Sequence, residues 1–123
     1  MTILHRIPEA GGKMAQDLNA ILTRTEKQTA LKGRCFRGVR LIKVDLSAAV
    51  FNEADLEGAI FALADLYGAD FCHANLCQAT FCLCELHGVD LTDARLAGTT
   101  FRGCLGLSPA MCIYIRTHGG VVL

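Results

Sequence analysis

The chain has 123 residues, of which 52% are hydrophobic and 20% charged, a size that suits one domain with a buried core. No run of roughly eighteen apolar residues is present and the first residues carry no cleavage signal, so we expect a cytoplasmic protein without a membrane span. The net charge is zero but segregated, because residues 45–93 hold nine Asp/Glu and no Lys/Arg, whereas residues 1–44 hold nine Lys/Arg and three Asp/Glu.

Residues 1–30 are predicted to form an N-terminal capping or covering segment. Apolar residues recur there at helical spacing, which predicts an amphipathic helix over residues 13–24. They are Met14, Leu18, Ile21 and Leu22. Basic residues continue to Lys43, yet no aromatic residues interleave with them and no nucleic-acid-binding motif is present, so direct nucleic-acid binding is not expected.

A period of five residues governs the middle of the chain. Every fifth residue from Leu31 to Phe101 is Leu or Phe, and from Leu41 onward the residue two places earlier is small or modest in size. A large and a small side chain two residues apart point to the same side of an extended backbone. Glycines such as Gly58 and Gly68 fall two residues after the large one, where a corner needs a permissive backbone. The pattern predicts a solenoid of stacked repeats.

The runs ADLEG, ADLYG and ANLCQ resemble the pentapeptide-repeat proteins, whose motif is A-(D/N)-L-x-x. The resemblance implies an all-β solenoid, a right-handed four-sided β-helix, which we expect over residues 31–106. The resemblance itself covers about residues 31–105. Twenty residues per coil would give about 3.75 coils over this range, and we expect short capping helices at the N- and C-termini. The structural core is predicted to consist of Leu46, Phe51, Leu56, Phe61, Leu66, Phe71, Leu76, Phe81, Leu86, Leu91, Leu96 and Phe101.

One outer wall of this tube, the apolar wall, is predicted to expose a contiguous and mostly apolar surface. Its candidate interface residues are Ile42, Ile60, Ala62, Leu63, Cys82 and Leu83, with Thr80 and Thr100 beside them. A monomer rarely leaves such a surface bare. Two interpretations stay open: the N-terminal segment covers the wall, or the wall binds a protein partner, which includes a second copy in a homodimer.

Acidic residues form two columns on the other walls, one of Asp45, Asp65 and Glu85 and one of Asp70 and Asp90. We call these the acidic columns. Asp or Asn before the large residue belongs to the repeat motif, and such a side chain can bond nearby turn amides, which favours turn support over a functional surface.

Residues 107–123 are predicted to be a C-terminal capping helix and tail. Ser108 suits the N-cap, Pro109 the first helical position and Gly119 the C-terminal stop, so we expect a helix over residues 109–118 that plugs the coil with Met111 and Ile115. The last three residues are free to pack further or to pair with another chain, which makes the C-terminal end a second candidate for homodimerisation.

Seven cysteines without an export signal favour free thiols. Their spacing does not match zinc ligand pairs. Cys84 and Cys104 are expected inside the tube, whereas Cys72, Cys77 and Cys82 are expected to point outward and react. Catalytic and phosphate-binding signatures are also missing, so we expect no metal, no cofactor and no enzymatic activity.

These features favour a non-catalytic protein-binding or scaffold module with an unidentified protein partner. The resemblance implies an alternative, because some pentapeptide-repeat proteins mimic duplex DNA and inhibit type II topoisomerases such as gyrase through acidic surfaces.

Overall fold

The computed structural model describes residues 27, 28 and 31–123. It contains the strands β1 (Arg40–Ile42), β2 (Ile60–Ala62), β3 (Thr80–Cys82) and β4 (Thr100–Arg102), then helix α1 (Pro109–Thr117) and strand β5 (Val121–Val122). The helix predicted over residues 13–24 lies outside the described residues, as does all of the predicted N-terminal segment except residues 27 and 28.

The sheet register fixes the length of one coil. The strands lie in parallel in the order β1-β2-β3-β4-β5. Leu41 pairs with Phe61, which pairs with Phe81, and Phe81 pairs with Phe101, so each step from β1 to β4 is one coil of twenty residues. Isolated parallel bridges on the other walls keep this offset, for example Asp70 with Asp90. The predicted right-handed, four-sided β-helix is confirmed.

Each corner of the tube lies two residues after a large core residue. The amide of Ala74 donates to the carbonyl of Phe71 at 3.0 Å, and His73 between them has a φ of 60°. This combination is the hydrogen bond and positive φ of a type II turn. Positive φ recurs at every fifth residue from Gly33 to Gly103, at glycine and non-glycine positions alike.

The large residues fill the centre of the tube. All twelve residues of the predicted core are buried, with at most 2% of their surface exposed. The rings of Phe61 and Phe81 stack with centroids 4.6 Å apart, and Phe71 meets Phe61 edge-on at 5.9 Å. Alanines of the second register, such as Ala59, are fully buried between them. Burial of each large side chain contributes about 1.5–3 kcal/mol before chain entropy is subtracted.

Helix α1 closes the C-terminal end of the tube. Its N-cap is Ser108, whose hydroxyl accepts from the amide of Met111 at 3.1 Å, and its Ile115 is fully buried against the core. The helix ends at Thr117, one residue earlier than predicted, because His118 forms the C-cap. The tail then returns to the sheet, where Val121 donates to the carbonyl of Thr99 at 2.8 Å. The tail therefore packs within its own chain as strand β5.

Candidate binding surface

The outward side chains of β1–β4 form the apolar wall. Because side chains alternate along a strand, Phe61 points into the core while its neighbours Ile60 and Ala62 point outward. Ile42 is paired with Ala62 and Ala62 with Cys82, so the candidate interface residues lie side by side on one sheet surface. Leu63 and Leu83 are the most exposed of them, at 50% and 56%.

The surface of the apolar wall has a low centre and a raised edge. Ala62 and Cys82 are short side chains and half-buried. Leu63 and Leu83, one residue further along the chain, stand beside them as a ridge. The ridge continues toward β4, because a methyl group of Leu83 comes within 2.8 Å of the position that a Cβ on Gly103 would occupy. The short side chains of Ala62 and Cys82, which cross β2 and β3 beside this ridge, give the wall a low strip that we call the trough.

Cations lie at the two ends of this trough. Arg40 begins β1, Lys43 follows its last residue, and Arg102 ends β4; all three are exposed. Residues 40–43, 60–63, 80–83 and 100–103 contain no Asp or Glu. Arg40 and Lys43 belong to the basic N-terminal part of the sequence, residues 1–44. Arg102 is distant from them in sequence and joins the same wall only through the coil register.

The carboxylates of the first acidic column hold turns. Asp65 forms bridges with Asp45 and with Glu85 in the neighbouring coils. In each coil the side-chain oxygen accepts from the amide two residues later: Ser47 to Asp45 at 3.0 Å, Tyr67 to Asp65 at 3.0 Å and His87 to Glu85 at 2.8 Å. The hydroxyl and amide of Ser47 lower the pKa of Asp45. These acids therefore stabilise the corners on which the coil depends.

The second acidic column encloses a cysteine. Ligand atoms of Asp70, Cys72 and Asp90 lie within 4.8 Å of one another, a grouping of metal-ligand types within the part of the chain that the structure describes. Asp70 is already engaged, because it accepts from the amide of Cys72 at 2.9 Å, and the Asn52 side chain, oriented to satisfy its hydrogen bonds, donates to both carboxylate oxygens at 2.8 and 3.0 Å. Turn support accounts for this grouping without an ion.

The two carboxylates also change the chemistry of the thiol. Burial raises the pKa of Cys72 to about 12, with further contributions from hydrogen bonds and repulsion by Asp70 and Asp90. This environment argues against the reactive Cys72 thiol expected from its outward position, because the thiolate is the nucleophile. The spacing of the cysteines in the sequence does not reveal this effect, because it leaves out the two carboxylates beside Cys72. Cys84 is 1% exposed, and its thiol donates to the carbonyl of Phe61 at 3.3 Å.

Two shallow clefts formed by the described residues lie beside the acidic columns. One, of about 230 Å³, lies between α1 and the second acidic column, and the other, of about 290 Å³, lies beside Lys27 and Asp45. The first is lined by Asp90, Leu91, Thr92, Ser108, Ala110, Met111 and Tyr114. Both are smaller than the roughly 300–1,000 Å³ of typical small-molecule sites.

None of the helices among the described residues combines the length and apolar character needed to cross a bilayer.

The repeats also match a known family. The sequence profile named "Pentapeptide repeats" matches residues 36–66 and 64–103, with eight copies. The chain belongs to the pentapeptide-repeat family. No curated protein matches it.

Solved structures of other pentapeptide-repeat proteins resemble this one. The protein alr5209 from Nostoc PCC 7120 is 21% identical, with 71% of this chain and 74% of that chain covered and a TM-score of 0.37. AT2G44920, from the thylakoid lumen of Arabidopsis thaliana, is 26% identical, with 91% and 86% covered and a TM-score of 0.36. Family membership rests on the repeat profile rather than on these scores.

Proposed function

We propose that this pentapeptide-repeat protein is a non-catalytic, cytoplasmic protein-binding module and that the apolar wall is its binding surface. The observation that carries the proposal is the pair of half-exposed leucines, Leu63 and Leu83, on a sheet surface that has no acidic residue. Contiguous apolar patches on a folded surface mark interaction sites far more often than isolated apolar residues do.

The rigidity of the wall supports the proposal. Its strands are fixed by parallel pairing, and the rings of Phe61, Phe81 and Phe101 stack directly beneath it. A partner would therefore meet a surface that needs little ordering on binding, which lowers the entropic cost of association. The shallow clefts and the filled core favour a surface for a macromolecule over a pocket for a substrate.

A photo-crosslinking experiment tests the proposal. Benzoylphenylalanine would replace Leu63 in one variant and His73 in a matched control, because both residues are exposed corner positions with positive φ, 54° and 60°. We expect a cross-linked protein from the native host at position 63 and none at position 73. The double substitution Leu63→Lys/Leu83→Lys should abolish the cross-linked partner's binding while the far-UV circular dichroism stays unchanged. Equal cross-linking at both positions would reject the apolar wall as the binding surface.

A second candidate, inhibition of a type II topoisomerase by DNA mimicry, is favoured by the acidic columns. Their carboxylates repeat at the spacing of one strand, about 4.8 Å, and residues 45–93 contain no Lys or Arg. The hydrogen bonds that these carboxylates accept from turn amides weigh against DNA mimicry. Supercoiling by gyrase that is unchanged at micromolar protein would reject this candidate without affecting the first.

A further inference from the structure

We propose that the occupant of the apolar wall is an amphipathic α-helix of a partner protein, with acidic residues at both ends of its apolar face. The inference rests on the proposed function and adds the chemistry of the partner. It follows from three properties of the wall: its spacing, its relief and the position of its cations.

The spacing of the wall matches a helix that lies across the strands. Neighbouring strands are about 4.8 Å apart, and one helical turn rises 5.4 Å. Apolar side chains at i, i+3 or i+4 and i+7 would thus meet about one strand per turn. The trough floored by Ala62 and Cys82 runs in this direction, and the ridge of Leu63 and Leu83 lines one side of it.

The positions of the cations indicate which charge the partner helix carries and how long it is. Arg40 and Lys43 lie at one end and Arg102 at the other, three strand spacings or about 14 Å apart. A helix covers this distance in about ten residues. Carboxylates placed before and after its apolar face would each lie near a cation, and the segments 40–43, 60–63, 80–83 and 100–103 that form the wall contain no Asp or Glu to repel them.

The charges of the wall disfavour a second copy of this chain as the occupant, and its relief disfavours a membrane. In an antiparallel pair of apolar walls, Arg102 of each copy would face Arg40 and Lys43 of the other, and like charges brought together oppose association. An anionic membrane would also attract cations, but the centre of the wall is recessed at Ala62 and Cys82 rather than projecting as a wedge.

Designed peptides provide the test. The probe is a fluorescent, stapled helix of about fourteen residues with leucines at i, i+3, i+4 and i+7 and a pair of glutamates at each end. One matched control carries lysines in place of the four glutamates, and another carries glutamines in place of the leucines. Anisotropy with the full chain measures affinity, and alkylation of Cys82 reports occupancy of the trough. Cys77, half-buried at the corresponding repeat position on another wall, is the internal reference.

We expect the glutamate peptide to bind at least about tenfold more tightly than the lysine peptide, with the glutamine control inactive. Binding should weaken as salt is raised and should slow alkylation of Cys82 but not of Cys77. The variant Arg40→Glu/Lys43→Glu/Arg102→Glu should reverse the order of the two charged peptides.

Contrary results separate this inference from the proposed function. Equal binding of both charged peptides, lost in Leu63→Lys/Leu83→Lys, would overturn the acidic partner but leave the apolar wall as a binding surface. Binding of neither peptide would overturn the inference. Three other results would overturn it by identifying another occupant: a dimer in light scattering that Leu63→Lys abolishes, sedimentation with phosphatidylserine vesicles that depends on Leu63, or a free chain in which Cys82 reacts as slowly as Cys84. Equal cross-linking at positions 63 and 73 would instead reject the proposed function.

Discussion

Burial, together with the carboxylates of Asp70 and Asp90, raises the pKa of Cys72, and replacing both carboxylates with asparagine should restore part of its reactivity. Asparagine keeps the acceptor that holds the turn and removes the charge, together with one of the two oxygens of Asp70 that accept from Asn52. The next repeat shows that this substitution is tolerated, because Asn75 accepts from the amide of Cys77 at 3.1 Å, as Asp70 does from the amide of Cys72 at 2.9 Å. The variant Asp70→Asn/Asp90→Asn therefore gives Cys72 the neutral neighbour that Cys77 already has.

The size of the effect follows from the pKa of Cys72, which is raised from 9.0 to about 12. A rise of three in the pKa lowers the thiolate fraction of Cys72 at pH 8 by about a thousandfold. A more basic thiolate is also a better nucleophile, with a Brønsted coefficient of about 0.45, and this offsets part of the loss. Together, these two effects slow disulfide exchange by about fortyfold, which is about threefold to fourfold for each unit of pKa. Solvent screens this half-buried site, so we expect Cys72 to react about tenfold to fortyfold more slowly than an ordinary thiol.

Exchange with an aromatic disulfide at pH 8, followed by mass spectrometry of the labelled peptides, measures Cys72 and Cys77 in the same sample. Cys72 should be the slower in the parent chain, and the double variant should accelerate it by more than about threefold. Recovery is partial because burial, the largest cause of the raised pKa, remains. If Cys72 and Cys77 react at equal rates in the parent, or if the substitutions leave Cys72 unchanged, the assigned role of the carboxylates is wrong.

Two further predictions concern stability. The folded-state pKa values of Asp45 and Asp90 lie below their usual 3.8, so their contribution is present above that pH and is lost as the pH falls through the lower folded values. Urea unfolding between pH 7 and pH 3 should show this loss, and Asp45→Asn/Asp90→Asn should flatten the profile; an equally steep profile would contradict the assignment. Gly58→Ala should cost about 1–2 kcal/mol from its positive φ alone, because nothing lies near the added Cβ. Gly106→Ala should cost about 1–3 kcal/mol more, since its Cβ would collide with the backbone of His87; equal free energies of unfolding would contradict this.

The coil could be predicted from the sequence because one physical requirement repeats without interruption. A Leu or Phe at every fifth position must be buried, and only a backbone that turns after each short extended piece can bury all of them. The same reasoning located the apolar wall, since Leu63 and Leu83 are one coil apart and share a corner. Capping preferences at Ser108 and Pro109 predicted α1 to within one residue.

Other features depend on contacts that the five-residue period of the sequence does not predict. The pKa of Cys72 is raised by burial and further by one carboxylate from its own coil and another from the next. Strand β5 was missed because α1 interrupts the phase, so Thr100 pairs with Val121 at an offset of twenty-one rather than twenty. Corners at Glu53 and Gln78 carry no glycine, and only their place in the phase marks them.

The twenty-residue register decides which changes of length this molecule can accept. Loss or gain of five residues within the repeats would keep every Leu and Phe inside, yet it would rotate all later residues onto the next wall and separate Leu83 from Leu63. Duplication of a block of twenty codons, such as those for residues 60–79, would leave each wall intact and lengthen it by one strand. Tandem duplication is therefore a direct evolutionary route to a longer binding surface with unchanged chemistry.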